Sequence, residues 1–303
     1  MSRTFRTIRV PASSANLGPG FDALGLALGV YLECRFRPAA RLSIQASGRD
    51  ADSIPASPEN MIWQTALEVA GAPLDPIELL IDNDIPIGKG LGSSAAAMVA
   101  GVVMANELAS FGWDRARILN EAARIEGHPD NVAACVLGGI VASAIDSCNV
   151  VRVVRMDLHP RYGVAVVVPD FPLPTSEARR VLPSSYSRED TIFNVQRAAL
   201  LIAALAAGAT GAFPAALEDR LHQPYRFALV PGLEAMTRLR APGLLGCVLS
   251  GAGPSILVFY ERGSERVCEL VRSVFSSYGH ASEIFWTEVD RDGYRLSDGL
   301  PPS

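Results

Sequence analysis

The sequence predicts an α+β fold in two parts. Three observations carry this. Strand-like and helix-like segments do not alternate regularly, which argues against a doubly wound parallel sheet. The chain has 303 residues, enough for one large or two medium domains at ~150 residues each. Hydrophobic residues make up 49% and charged residues 19%, so the chain can build a core without a metal or disulfide staple and is not generally disordered.

The elements follow in chain order. Residues 5–11, 31–37, 41–46 and 77–81 have strand composition with turn residues between them. A helix is expected up to Ala70, with Ser57 at its N-cap, Pro58 at its first position and Gly71 as its stop. A second helix is expected from about Ser94 to Leu108, and a third from after Asp114 to Gly127. Strands are expected at 139–144 and 150–156. The second part opens near His159 with a strongly apolar strand at 162–169. Helices are expected at 176–182, 190–207, 213–221 and 232–240. Then come a strand at 244–250, a glycine turn at 251–254, a strand at 255–260, a helix at 264–277 and a strand at 283–289. The tail from Arg291 reads as turn-like and loose. No internal repeat or low-complexity linker is visible, so two closely packed halves with a boundary near residue 160 are expected.

Charge and cysteine usage narrow the function classes. There are 27 basic and 32 acidic residues, a net charge of −5. That balance lacks the basic footprint of a nucleic-acid partner. The five cysteines are odd in number and scattered, with no CxxC pair for zinc, which suits a reducing compartment. The first ten residues hold no apolar run of a secretion signal. The longest apolar stretches, 95–105 and 198–209, fall short of the ~20 residues of a membrane span. The expectation is a soluble, cytoplasmic protein with no membrane or nucleic-acid partner. Lys89 is the only lysine, and it lies in the most glycine-rich segment.

That segment is Pro86-Ile87-Gly88-Lys89-Gly90-Leu91-Gly92-Ser93-Ser94-Ala95-Ala96. Glycines let backbone N–H groups approach a ligand closely. A helix follows at once, so its unpaired amides and positive dipole end face the loop, a recipe for holding phosphate. The loop is neither a Walker A motif, because no GK[ST] is present, nor a Rossmann fingerprint, because the glycines read GxGxG. The plainer reading is a glycine turn with Ser93 or Ser94 as an ordinary N-cap.

Three other segments carry chemistry. In Glu126-Gly127-His128-Pro129-Asp130-Asn131 a carboxylate closes a helix against the negative dipole end, at a cost of roughly 0.3–1 kcal/mol. Such a residue is a candidate cation ligand, unless Arg124 satisfies it and Asp130 merely caps the next helix. The segment from Pro11 to Asp22 runs from a strand into a small-residue loop bearing Asn16 and Asp22. The last, 249–255, is a glycine hairpin around Gly251.

Together and in this order, these segments resemble the GHMP kinase superfamily of small-molecule, ATP-dependent kinases. Its phosphate loop, Pro-x-x-x-Gly-Leu-Gly-Ser-Ser-Ala, is matched at every fixed position by Pro86 to Ala95. Within the superfamily the chain resembles the homoserine kinase family over nearly its whole length. The diagnostic pieces are Pro11 to Gly25, Gly127 to Val132, Thr175-Ser176-Glu177-Ala178-Arg179 and His222-Gln223-Pro224-Tyr225-Arg226.

This resemblance implies an N-terminal ATP-binding domain, 1–160, with a left-handed β-α-β crossover, and a ferredoxin-like C-terminal domain, 161–303. It implies ATP as co-substrate, Mg2+, L-homoserine as phosphoryl acceptor in threonine biosynthesis, and a homodimer. It implies Asn16, Asp130 and Arg179 at the catalytic centre. Substrate contacts fall at Asn16, Asp22, His128, Asp130, Asn131, Thr175, Arg179, Arg226 and Gly251. Among these, Asp22 matches the acid for the ammonium, Arg179 and Arg226 match the carboxylate site, and Asn16 lies beside the reacting hydroxyl. Asp130 is expected to hold substrate rather than act as base. Nucleotide contacts fall at Asn60 and at Pro86, Ile87, Gly88, Lys89, Gly90, Leu91, Gly92, Ser93, Ser94, Ala95 and Ala96. Ser94 and Glu126 match metal ligands. For Lys89 the reading stays open between a phosphate contact and a solvated side chain. Two rival readings remain at this point: a mevalonate-type GHMP kinase, and a non-catalytic nucleotide-binding protein.

Overall fold

The computed structural model describes residues 4–299. Two sheets organise it. The first has seven strands: β1 (Arg6–Ala15), β2 (Leu24–Pro38), β3 (Ser43–Gly48), β4 (Ile77–Asn83), β5 (Ile140–Ile145), β6 (Val151–Met156) and β11 (Arg295–Asp298). Its main path runs β11-β1-β2-β4-β3, with β5 pairing β2 and β6 pairing β5. β1 and β2 are antiparallel from Arg6↔Phe36 to Ala15↔Gly25, with one register shift between Pro11 and Ala12. β3 and β4 are parallel neighbours, joined through helix α1 (Met61–Ala70). A parallel pair needs such a crossover.

The second sheet holds β7 (Tyr162–Pro169), β8 (Leu244–Leu249), β9 (Ile256–Glu261) and β10 (Ser282–Thr287), in the order β10-β7-β9-β8 and antiparallel throughout. That order, with helices between β7 and β8 and between β9 and β10, is the ferredoxin-like arrangement. Every residue of β7 is buried because both of its faces are covered. Val164, Val166 and Val168 join the large core shared with the first sheet, while Ala165 and Val167 join a smaller core against Val271 and Phe275. The alternation follows the two-residue period of a strand.

The helices of the first part are α1, α2 (Ser93–Leu108), α3 (Arg115–Glu126) and α4 (Asp130–Leu137). α2 is apolar around most of its circumference because it runs through the core, burying eleven residues including Val99, Val103 and Met104. Asp114 caps α3 through Arg117 N at 2.8 Å, and Gly127 ends it at φ +86°. The second part carries α5 (Thr175–Arg180), α6 (Arg188–Ala207), α7 (Phe213–Ala216), α8 (Gln223–Arg226), α9 (Leu233–Thr237) and α10 (Cys268–Ser277).

The structure corrects several expectations. The first helix is capped by Asn60, not Ser57. Asn60 Oδ1 accepts from Ile62 N at 3.0 Å, whereas the Ser57 hydroxyl is held by Glu59. The expected helix 213–221 stops after one turn, because Asn194 and Asp219 side chains capture the amides of Arg220, Leu221, His222 and Gln223. Helix α8 is additional, and α4 is the helix that the sequence offered only as an alternative reading after Asp130. The tail is ordered, with β11 pairing β1 from Arg6↔Asp298 to Arg9↔Arg295. α6 is one continuous helix of 20 residues, long and apolar enough by composition to span a membrane. It nevertheless carries Arg188, Glu189, Asp190 and Arg197, and buries Asn194, Leu201 and Leu205 against the fold.

Candidate active site

The loop from Pro86 to Gly92 leaves β4 and enters α2. Gly88, Gly90 and Gly92 have φ of +70°, +76° and +66°. A Cβ on Gly90 would lie 2.3 Å from Ser250 O, and one on Gly92 would lie 2.0 Å from Ser13 Oγ. Conformation and space thus both require glycine there. The scaffold takes up the loop's carbonyls: Gly88 O accepts from Leu173 N (3.1 Å), Gly90 O from Ser250 Oγ (2.7 Å) and Leu91 O from Ser13 N (3.1 Å). Gly92 is the N-cap of α2 and brings no side chain, so neither Ser93 nor Ser94 caps the helix. The first amides of α2 have no intrahelical partner, and the positive dipole end faces a pocket of about 380 Å³.

Gly88, Gly90, Leu91, Gly92, Ser93, Ser94, Ala95 and Ile87 line this pocket, as does Asn60, whose amide is already committed to Ile62 N and Pro55 O. Pro86, Lys89 and Ala96 do not line it. The Lys89 side chain does not line the pocket, and it is half-exposed. It donates to Pro169 O at 2.8 Å and ties the loop to the end of β7.

The other end of the pocket is polar. Asn16 follows β1 in the left-handed conformation, with φ +71°. Its Oδ1 accepts from Asp22 N at 3.0 Å and its Nδ2 donates to Gly251 O at 2.9 Å, so one amide fixes two loops from the two halves. Asp22 and Arg179 pair across the pocket at 2.8 Å. Arg226 is 1% exposed. Its Nε donates to Ala178 O (3.0 Å) and one terminal nitrogen to His222 Nδ1 (2.8 Å), with no carboxylate within 4 Å among the described residues. Both guanidinium carbons lie 5.8 Å from the centre of the Phe21 ring.

Glu126 ends α3, and Arg124 does not satisfy it, because Arg124 pairs with Glu121 and Glu68. Its one ion pair among the described residues is with His128, at 3.7 Å. Burial, then the charge of Asp130, pushes the Glu126 carboxyl up, against His128 and Arg179. Asp130 opens α4 and is 1% exposed. Its Oδ1 accepts from His128 Nδ1 (2.9 Å) and from Asn131 N (2.7 Å). Burial pulls the His128 imidazole down, but the hydrogen bond and charge of Asp130 outweigh it and leave it above the ordinary histidine value. Asn131 is held by Ser13 Oγ at 2.8 Å. Burial, then the Arg179 charge, lowers the Arg226 guanidinium to about 10. Two arginines and three carboxylates, Asp22, Glu126 and Asp130, therefore face one cavity, and among them only Arg179 and Asp22 form an arginine–carboxylate pair.

Comparison with known proteins places this geometry. The family model for the GHMP kinases N terminal domain matches residues 60–139, and that for the GHMP kinases C terminal domain matches residues 201–277. A homoserine kinase of Solibacter usitatus is 67% identical over 299 residues, 98% of each chain. The chain belongs to the homoserine kinases of the GHMP superfamily. A homoserine kinase of Deinococcus radiodurans is 46% identical over 293 residues, 95% of each chain. The crystal structure of homoserine kinase from Cytophaga hutchinsonii superposes with a TM-score of 0.84 at 26% identity, covering 98% of each chain. The two-part fold is that of GHMP kinases.

Within this homoserine kinase fold, one pocket gathers Asn16, Asp22, Glu126, His128, Asp130, Asn131, Thr175, Arg179, Arg226 and Gly251 with the glycine loop. Sequence reasoning gave no site role to Ser13, Phe21 or His222, although they lie in its diagnostic segments, and passed over Asp219. Asp219 had a readable signal: an acid ahead of the Gln223-Pro224 pair suits a helix start, and it accepts from three backbone amides there. Ser13 had none, because it meets Asn131 only through the packing of β1 on α4.

Proposed function

We propose that this pocket transfers the γ-phosphoryl group of ATP to the side-chain hydroxyl of L-homoserine, giving O-phospho-L-homoserine and ADP in threonine biosynthesis. One observation carries the reading: a half-exposed Asp22–Arg179 pair beside a buried Arg226 that has no anion of its own among the described residues. A zwitterion can replace that pair by itself. Its ammonium takes Asp22, and its carboxylate takes the forks of Arg179 and Arg226. The side chains of Asp22 and Arg179 are 35% and 39% exposed, so opening their pair costs only ~0–1 kcal/mol. Mevalonate has no ammonium and would leave Asp22 unpaired.

Phosphoryl transfer asks the protein mainly for positioning and charge stabilisation. The amides of the loop and of the α2 N-terminus hold the phosphates. Asn16 and Asp130 position the hydroxyl, whose proton can pass to the phosphate. Thr175, His128 and Asn131 complete the walls. The donor set suits Mg2+: among the described residues Glu126 is a half-buried carboxylate without an arginine or lysine partner, and Ser94 Oγ has only a 3.6 Å contact with Met61 sulfur. When bound there, the ion would neutralise charge on the phosphates. We read residues 1–160 as the nucleotide domain and 161–303 as the second domain; the change of sheet between Met156 and Tyr162 supports the boundary, while the end of the second segment returns to the first sheet as β11.

The test is coupled ADP release with Mg-ATP and L-homoserine, mevalonate or no acceptor. Turnover with homoserine alone is expected. Turnover with another alcohol would keep the phosphate loop and discard the zwitterion site. ATP binding without turnover would leave a binding protein.

A further inference from the structure

We infer that His222 is a positioning residue for Arg226, acting as the neutral Nε2–H tautomer that anchors on Gly18 O and offers its Nδ1 lone pair to the guanidinium. The inference rests on the reading above, in which Arg226 receives the substrate carboxylate.

The partners fix both ring nitrogens. A guanidinium only donates, so the Nδ1 that lies 2.8 Å from Arg226 accepts and carries no proton. The other nitrogen faces two acceptors, Gly18 O at 2.7 Å and Asp219 Oδ2 at 3.5 Å, so it carries the proton. The ring cannot turn freely. It is fully buried, stacks on Phe21 at 5.2 Å and 20°, and its own backbone amide is held by Asp219. The charged groups bearing on it are Asp219, Arg226 and Asp22. A second proton, on Nδ1, would point at the guanidinium. Burial first, then the Arg226 charge, depresses the imidazole and keeps it neutral.

A neutral acceptor does what a carboxylate in this position could not. It orients the fork while leaving its positive charge for the ligand. With Nε on Ala178 O and one terminal nitrogen shared between His222 Nδ1 and Gly251 O (3.4 Å), the plane of the guanidinium is set and its other terminal nitrogen takes no partner among the described residues. His222 thereby couples the Gly18 turn to the proposed carboxylate site.

The experiment uses the full chain. Nitrogen-15 imidazole spectra at pH 7 report the tautomer, with His222 assigned by its loss in His222→Asn. Steady-state kinetics and thermal melts are measured for the wild type, His222→Leu, His222→Asn and Arg226→Lys. The Nε2–H tautomer is expected. His222→Leu should raise KM for homoserine about tenfold while KM for ATP stays within about twofold, the effect of one lost hydrogen bond to a charged group. His222→Asn should restore most of that loss, because Asn Oδ1 can stand where Nδ1 stood. A cationic or Nδ1–H ring, or homoserine KM values equally raised in the folded Leu and Asn variants, would overturn the proposal. If His222→Leu does not fold, the tautomer and the Asn variant decide: a tenfold loss in the Asn variant overturns it. Arg226→Lys tests the underlying reading separately. Unchanged homoserine KM in that variant removes Arg226 from the substrate site whatever the tautomer.

Discussion

Asp130 is almost fully buried, yet one of its oxygens does all its internal bonding. Oδ1 receives His128 and the amide of Asn131, while Oδ2 takes no hydrogen bond among the described residues. A carboxylate held this firmly at one oxygen is built to hold a ligand with the other. Removing its charge should therefore weaken binding more than chemistry. Asp130→Asn is expected to raise KM for homoserine by about tenfold and to slow turnover by less, on the scale of one charge-assisted hydrogen bond. If turnover instead slows a hundredfold or more while KM is unchanged, Asp130 is a general base, since such bases contribute about 10²–10⁴ in rate. At this scale the sequence carried most of the site, because each residue sits in a short motif with its chemistry on display. Lys89 shows the limit. Its partner, Pro169 O, lies 80 residues away on another sheet, and nothing local in the glycine loop encodes it.

Among the elements, those with strong local signals were legible. α3 has an aspartate cap and a glycine stop, and β7 is a continuous apolar run. Elements made by distant partners were not. β11 is four residues of arginine, leucine, serine and aspartate without alternation, and it becomes a strand because β1 offers an edge nearly 290 residues earlier. The same tail supports α4 from behind. Tyr294 N donates to Cys135 O on α4, and its ring packs under Arg115, whose terminal nitrogens reach Val136 O and the carbonyls of Asp292 and Tyr294. Tyr294→Ala should then cost about 3 kcal/mol, the low end for a buried aromatic truncation. Urea unfolding would measure it. Loss below about 1 kcal/mol would mean that the tail is as loose as its composition suggests.

For the whole molecule, the site exists only while the two sheets stay together. Asp22 and Asn16 come from the first part, while Arg179, Arg226 and Gly251 come from the second, and Asn16 already bridges them through Gly251 O. The phosphate loop is stitched the same way, through Ser250 Oγ and Leu173 N. No single segment of sequence contains this convergence, which is why the motifs were readable from the residues while their common site came only from the family resemblance. A ligand that contacts both parts binds only the assembled state, so its binding energy adds to the stability of the whole chain. At a hundred times its Kd, homoserine should stabilise the protein by about 2.7 kcal/mol, read as an upward shift of the melting temperature that grows with the logarithm of concentration. Asp22→Asn should erase most of that shift while keeping the stabilisation by ATP, because the glycine loop and the start of α2 are untouched. If homoserine shifts Asp22→Asn as far as the wild type, the ammonium is held elsewhere, and the Asp22–Arg179 pair is a structural tie between the sheets rather than a place held for substrate.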